Sequence, residues 1–335
     1  MPQEVRKRKQ GTVAYEGNTK VPMSLGRGMV YRELYLRLYG QPTIDTTKNL
    51  AASTLRGDEW ACIQRIDLIA NNTDVLKSLS GNALWWLNFF LYGRPPRITA
   101  TLGDGSTASP AFDSVLVLPL WMPRSIRPID TALDARNLSD LKIEITWGTY
   151  ASINADASAW TVEPKLDVYS LESFNVKGPF SQWRVYTIEK EVTATNTQFT
   201  IDLPVGPMYR GFMVNTTDTA KDDGSILNNL KVLSGTTVYA DLCEEVLEQA
   251  EMERNQTMRY WDDGGGVYDP LRRGTTYNNL DGWYFYDHCT DGYLTESIDT
   301  LGFSEFKLEL DVTVGSGTTK VFVYPQQVIP VRGKK

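Results

Sequence analysis

Apolar and polar positions alternate along most of this chain. Leu34, Leu36 and Leu38 interleave with Tyr35, Arg37 and Tyr39, the two-residue period of a strand with one face in a core. Residues 62–70 place Ile66, Leu68 and Ala70 on one face, and residues 112–120 read as a buried strand. Leu141, Ile143, Ile145 and Trp147 face away from Asp140, Lys142, Glu144 and Thr146; Phe306, Leu308, Leu310 and Val312 do the same against Glu305, Lys307, Glu309 and Asp311. Further strands are expected over 165–171, 183–192, 198–203, 208–215, 283–286 and 320–328, with 314–318 as a hairpin turn into the last. Four stretches break the pattern. Residues 74–80 predict a short helical turn ended by Gly81. Residues 84–92 are the most hydrophobic of the chain, too short to cross a bilayer as a helix, and predict a strand buried on both faces. Residues 239–259 carry a helical stripe of Leu242, Val246, Leu247 and Ala250 with Glu244, Glu245, Glu248 and Glu251 outside it. Residues 1–28, polar and punctuated by glycine, predict an arm that orders only against a neighbour.

The chain also repeats itself. Residues 133–145 are echoed without gaps by residues 298–310, 165 positions later: Asp134, Ser139, Lys142 and Glu144 recur as Asp299, Ser304, Lys307 and Glu309, and six further pairs swap like for like. A second echo sets Leu76-Lys77-Ser78-Leu79-Ser80-Gly81 against Leu230-Lys231-Val232-Leu233-Ser234-Gly235. The echoes fall in one order, so one β-rich unit is present twice. The expected organisation is an arm over 1–28, a first unit over 29–174, a linker over 175–182, a second unit over 183–330 and a basic tail over 331–335. About eight strands per unit with long loops point to an all-β chain of two tandem antiparallel jelly rolls, with short helices in loop insertions. Asp134 and Asp299 are placed to cap the turn before the repeated strand.

Composition agrees with this. A chain of 335 residues has room for two domains, and 41% apolar with 22% charged residues is the balance of a globular protein. Cys62, Cys243 and Cys289 are too few and too irregular for a disulfide framework or a zinc site, and read as buried free thiols in a reducing compartment. No apolar run follows the first basic residues, so no secretory signal is expected, and the sequons at Asn71 and Asn215 are expected to stay unmodified. The net charge of −7 is unevenly placed: Arg6, Lys7, Arg8 and Lys9 less Glu4 give +3, Arg332, Lys334 and Lys335 give +3, and the body therefore carries −13. Basic tips suit an anionic surface, lipid or nucleic acid, as well as they suit solvent.

Candidate chemistry is thin. The single histidine, His288, adjoins Cys289 at the end of an aromatic strand, where neighbours point to opposite faces. One histidine excludes a metal-binding double cupin, which needs several. Asp262-Asp263 with three following glycines lacks the alternating acids of a calcium loop, and those glycines lack the Lys-Ser/Thr of a phosphate loop. Aromatic and basic residues do not interleave as they do along a nucleic-acid groove. No catalytic, cofactor or metal residue is assigned.

The order of elements, with the segment ending Leu-Ser-Gly at 81, the strand over 112–120, then Leu133-Asp134, Ser139-Asp140-Leu141 and the strand to Trp147-Gly148, resembles the double jelly-roll major capsid proteins of tailless icosahedral viruses, particularly bacteriophages with an internal membrane. The resemblance covers roughly residues 30–330. It implies a homotrimeric capsomer of pseudo-hexagonal outline that tiles a virion shell. It further implies minor capsid and vertex proteins as partners, synthesis in a host cytoplasm, and termini (Arg6 to Lys9, and Arg332, Lys334 and Lys335) turned inward to lipid or genome. The family brings no catalytic residues. Two other readings stay open: a carbohydrate-binding or hydrolytic β-sandwich using Trp261, Tyr268 and Tyr277 as a platform, and a minor vertex or spike protein.

Overall fold

The computed structural model describes residues 4–44, 58–93, 96, 111–153, 157–178, 180–218, 226–247, 250, 272–273, 276–277 and 282–330. They form two compact units divided between Trp183 and Arg184. The first holds β1 (Glu4–Ala14), β2 (Lys20–Ser24), β3 (Val30–Ile44), β4 (Ile63–Ala70), β5 (Asp74–Leu79), the helix α1 (Gly81–Tyr92), β6 (Phe112–Pro119), β7 (Leu133–Asp134), β8 (Leu141–Trp147) and β9 (Ala157–Phe174). After β10 (Gln182–Val185), at the division, come β11 (Ile188–Val192), β12 (Asn196–Asp202), β13 (Met208–Asp218), β14 (Leu227–Ser234) and β15 (Thr237–Cys243). The chain continues with the two-residue strands β16 (Arg272–Arg273) and β17 (Thr276–Tyr277), then β18 (Trp283–Asp287), β19 (Ile298–Asp299), β20 (Lys307–Val312) and β21 (Thr319–Ile329).

Each unit is a jelly roll, and the two have one plan. In the first, β1 pairs with β9, β9 with β3 and β3 with β6, all antiparallel, and β7 adds to β3. Its other sheet runs β2, β8, β4, β5. In the second, β11 pairs with β21, β21 with β13 and β13 with β18, with β19 on β13. Its other sheet runs β12, β20, β14, β15. Alternation sets what each sheet buries: Leu34, Leu36 and Leu38 of β3 and Ile143, Ile145 and Trp147 of β8 are fully buried. In the second unit Val214, Leu230, Leu308, Leu310, Val321 and Val323 belong to one apolar cluster. The strands expected around residues 34–38, 62–70, 112–120, 141–147, 208–215, 283–286, 305–312 and 320–328 are all present.

Several expectations need correcting. Residues 1–28 are not an arm awaiting a neighbour, because β1 and β2 are the first strands of the two sheets of the first jelly roll. The apolar run over 84–92 is helix, not strand. Ser80 caps it, its Oγ accepting the Ala83 N–H at 3.1 Å, and Gly93, left-handed at φ 67°, ends it by donating to the Phe89 carbonyl. Residues 74–80 are not a helical turn but β5, joined to β4 through Asn71 and Asn72, both at positive φ. The helix expected over 239–259 starts later: residues up to Cys243 belong to β15, residues 244–247 and 250 are helical as expected, and the remainder lies outside the described residues. The 314–318 segment is not a hairpin turn, since β20 and β21 lie in different sheets. The second echo fails too. Leu76 is in β5 and Leu230 in β14, whereas the pairing makes β14 the counterpart of β4 and β15 the counterpart of β5.

Candidate functional site

The repeated residues mark the same corner of each jelly roll. Val30 faces Asp134 across β3 and β7, and Met208 faces Asp299 across β13 and β19. Asp134 Oδ1 accepts the Arg136 N–H at 3.1 Å and Asp299 Oδ1 accepts the Leu301 N–H at 3.0 Å, so each closes a turn over two residues. Two tyrosines complete the corner. Tyr31 donates its hydroxyl to the Gly26 carbonyl at 2.8 Å, and Tyr209 donates to the Pro204 carbonyl at 2.6 Å, five residues back in both cases. Both rings are fully buried, so each hydroxyl needs that carbonyl. The tyrosines lie outside the echo, and only the pairing of β3 and β13 shows that they correspond.

The other repeated residues have diverged. Ser139 donates N–H and hydroxyl to Asn71 Oδ1, tying the β4–β5 turn to the loop before β8; in the second unit Ser304 is exposed and Ser234 makes that tie, donating to the Glu305 carbonyl at 2.9 Å. Glu144 bridges Lys142 and Lys20, at 2.8 and 2.7 Å, which holds its carboxyl below the ordinary glutamate range. Glu309 instead meets Lys231 at 3.4 Å, and Lys307 meets Glu305 at 2.5 Å.

The basic N-terminal residues form an exposed edge strand rather than a free tail. Arg8 donates to Glu172 at 3.0 Å and Lys9 pairs with Asp167 at 2.7 Å. Arg6 pairs with Glu4 and stacks over the Phe174 ring at 4.6 Å, while Lys7 lies 5.9 Å over Tyr35. Glu172 is fully buried and also accepts from Gln10 and Ser170 through Oε1, while its Oε2 has no hydrogen-bond partner. Arg332, Lys334 and Lys335 lie outside the described residues, as do Trp261, Asp262, Asp263 and Tyr268, and the side chain of Tyr277.

The His288 and Cys289 side chains do not pair with each other. His288 Nδ1 lies 2.6 Å from the Tyr286 hydroxyl, and burial lowers its pKa. Cys289 meets Ser297 Oγ at 3.2 Å, and burial raises its thiol pKa. His288 and Cys289 thus look to different partners. Cys62 is buried like Cys289, but Cys243 is exposed, against the expectation of three buried thiols. Asn215 is buried in β13, out of reach of a glycosylating enzyme. Arg210 and Asp287 form a fully buried ion pair, Arg210 Nη2 to Asp287 Oδ2 at 2.8 Å. Among the described residues no three His, Cys, Asp or Glu side chains are grouped to hold a metal, and no helix is long and apolar enough to cross a membrane.

No family model matches the chain, and no curated protein matches it. Solved structures do. The STIV MCP superposes with a TM-score of 0.68 at 14% identity, over 98% of this chain and 97% of that one. The atomic structure of Sulfolobus Turreted Icosahedral Virus gives 0.68 at 13% identity, over 98% and 91%. The major capsid protein of Bacteriophage PM2 gives 0.61 at 13% identity, over 99% and 100%. The fold is therefore the double jelly roll, shared from end to end.

Proposed function

We propose that this chain is a major capsid protein, the repeating subunit of an icosahedral virion shell, and that its role is structural rather than catalytic. The observation that carries this reading is the end-to-end superposition on capsid proteins, over 98% of this chain and 97% of the other. A sandwich grafted into an unrelated enzyme would match over one unit and leave the rest uncovered. The internal duplication supports it: three copies of a two-barrel chain around a threefold axis present six similar barrels, a near-hexagonal tile that packs a shell.

Purified particles provide the test. A shell subunit dominates their protein mass as a 37.7 kDa band. Recovery at only a few copies per particle would make the chain a vertex or spike component instead, and its absence from particles would remove the virion reading altogether.

A further inference from the structure

Several sheet edges are open among the described residues, those of β2, β11, β12 and β18 included, and two of them, on β1 and β15, carry the strongest opposite charge. Among the described residues β1 pairs only with β9 and β15 only with β14, leaving one edge of each strand with unpaired backbone groups. Such edges invite another strand. The edge of β6 is covered at Val117: Asn88 of α1 accepts the Val117 N–H at 2.8 Å and donates to the Val117 carbonyl at 2.7 Å. Side chains from Glu4 to Lys9 are exposed, as are Thr237, Val238, Asp241 and Cys243.

Charge chooses the partner. β1 holds Arg6, Lys7, Arg8 and Lys9, whereas β15 holds Asp241 and is followed directly by Glu244 and Glu245. The two halves differ in the same sense. Residues 1–183 carry 20 basic and 18 acidic side chains, +2, and residues 184–330 carry 11 and 23, −12. A symmetric contact would set Arg6–Lys9 against its own copy, or acid against acid, and like charges across an interface are repelled.

We propose that copies of this chain join head to tail, the basic edge of β1 in one copy lying along the acidic edge of β15 in the next. The occupant of each edge is thus a second copy of the same chain. A head-to-tail contact of this kind closes into a ring when its rotation allows, and it names the surface that would join the capsomer; to that extent it rests on the function proposed above. The charges on both edges also deter random strand pairing until an opposite edge arrives.

Cysteine chemistry tests it directly, because Cys243 on β15 is exposed while Cys62 and Cys289 are buried. Val5 on β1 is 46% exposed, so Val5→Cys leaves the core untouched. Mild oxidation of the assembled Val5→Cys protein is expected to yield covalent dimers and trimers on a non-reducing gel, and Cys243→Ser in the same chain to abolish them. In a second arm, Arg6→Glu with Lys7→Glu weakens association about tenfold or more at low salt, and adding Asp241→Lys with Glu245→Lys restores it. If the wild-type chain is oligomeric but Val5→Cys, Lys7→Cys and Lys9→Cys give no cross-link between chains and charge reversal has no effect, the edge contact is wrong while the capsid reading stands. A wild-type chain that stays monomeric overturns both.

Discussion

Lys77 lies inside the first jelly roll, 1% exposed, with its ammonium 3.4 Å above the centre of the Trp183 ring and no hydrogen-bond partner. The indole face offers it some attraction, but burial without an anion pulls its pKa well below the ordinary 10.5. Lys77→Met keeps the length and removes the charge, and is expected to stabilise the protein by roughly 1–4 kcal/mol in urea unfolding at neutral pH. The sign with pH follows from proton uptake. Between the lowered folded pKa and 10.5 the unfolded chain binds more protons, so the cost of Lys77 shrinks as pH rises and is gone above 10.5. The gap between Lys77→Met and wild type should therefore narrow on going from pH 7 to pH 10; a constant gap would assign the gain to packing. Arg210 and Asp287 are the opposite case, a buried cation with its anion beside it, and Asp287 also accepts the Cys289 N–H at 3.0 Å. Asp287→Ala takes the carboxylate from a buried guanidinium and is expected to cost about 3–5 kcal/mol in the same assay.

Among the elements, α1 depends most on its ends and on one polar residue. Ser80→Ala removes the cap and should cost about 1 kcal/mol, and Gly93→Ala forces a side chain into the left-handed region for about 1–2 kcal/mol. Gly81 admits no side chain, because a Cβ would lie 2.0 Å from the Trp60 carbonyl oxygen. Asn88→Ala orphans both backbone groups of Val117, at about 1–3 kcal/mol for each buried group left unpaired. Calorimetry on the three variants should rank Asn88→Ala as the most destabilising; equal losses would mean that water replaces the Asn88 bonds. Strands with one wet face were legible in the sequence because alternation is a two-residue signal. The helix was not, since a buried apolar run has no period to read, although Ser80, Gly93 and the absence of β-branched residues between them were in view. β1 was hidden for the converse reason. Its side chains from Glu4 to Lys9 are all exposed, so it shows no alternation, and only its register with β9 makes it a strand. At β15 the helical pattern was read too early: residues 239–243 pair as strand with β14, and the helix begins at Glu244.

For the whole molecule, the duplication was legible at one strand and illegible elsewhere. The echo of 133–145 in 298–310 survives because Asp134 and Asp299 close the same turn and β8 and β20 bury the same face. The corner tyrosines and the counterpart pairs β1 with β11 and β3 with β13 keep their geometry with little common sequence, because a strand pair constrains burial and register more than side-chain identity. The basic run Arg6 to Lys9 was legible in the sequence, but that it lies on a sheet edge was not, since an edge exists only once the sheet is formed. Charge does act at this scale: a contact between the +2 half of one copy and the −12 half of another weakens as salt screens it. Raising salt from about 0.05 to 0.5 M is expected to shift dilute protein toward monomer, followed by sedimentation; tighter association at high salt would point to a purely apolar interface. The most direct measurement is the mass of the native protein in solution, by light scattering during gel filtration at low salt. A capsid subunit of this design should elute with three times the chain mass of 37.7 kDa and hold that mass on dilution, whereas a clean 37.7 kDa monomer at micromolar concentration would contradict it.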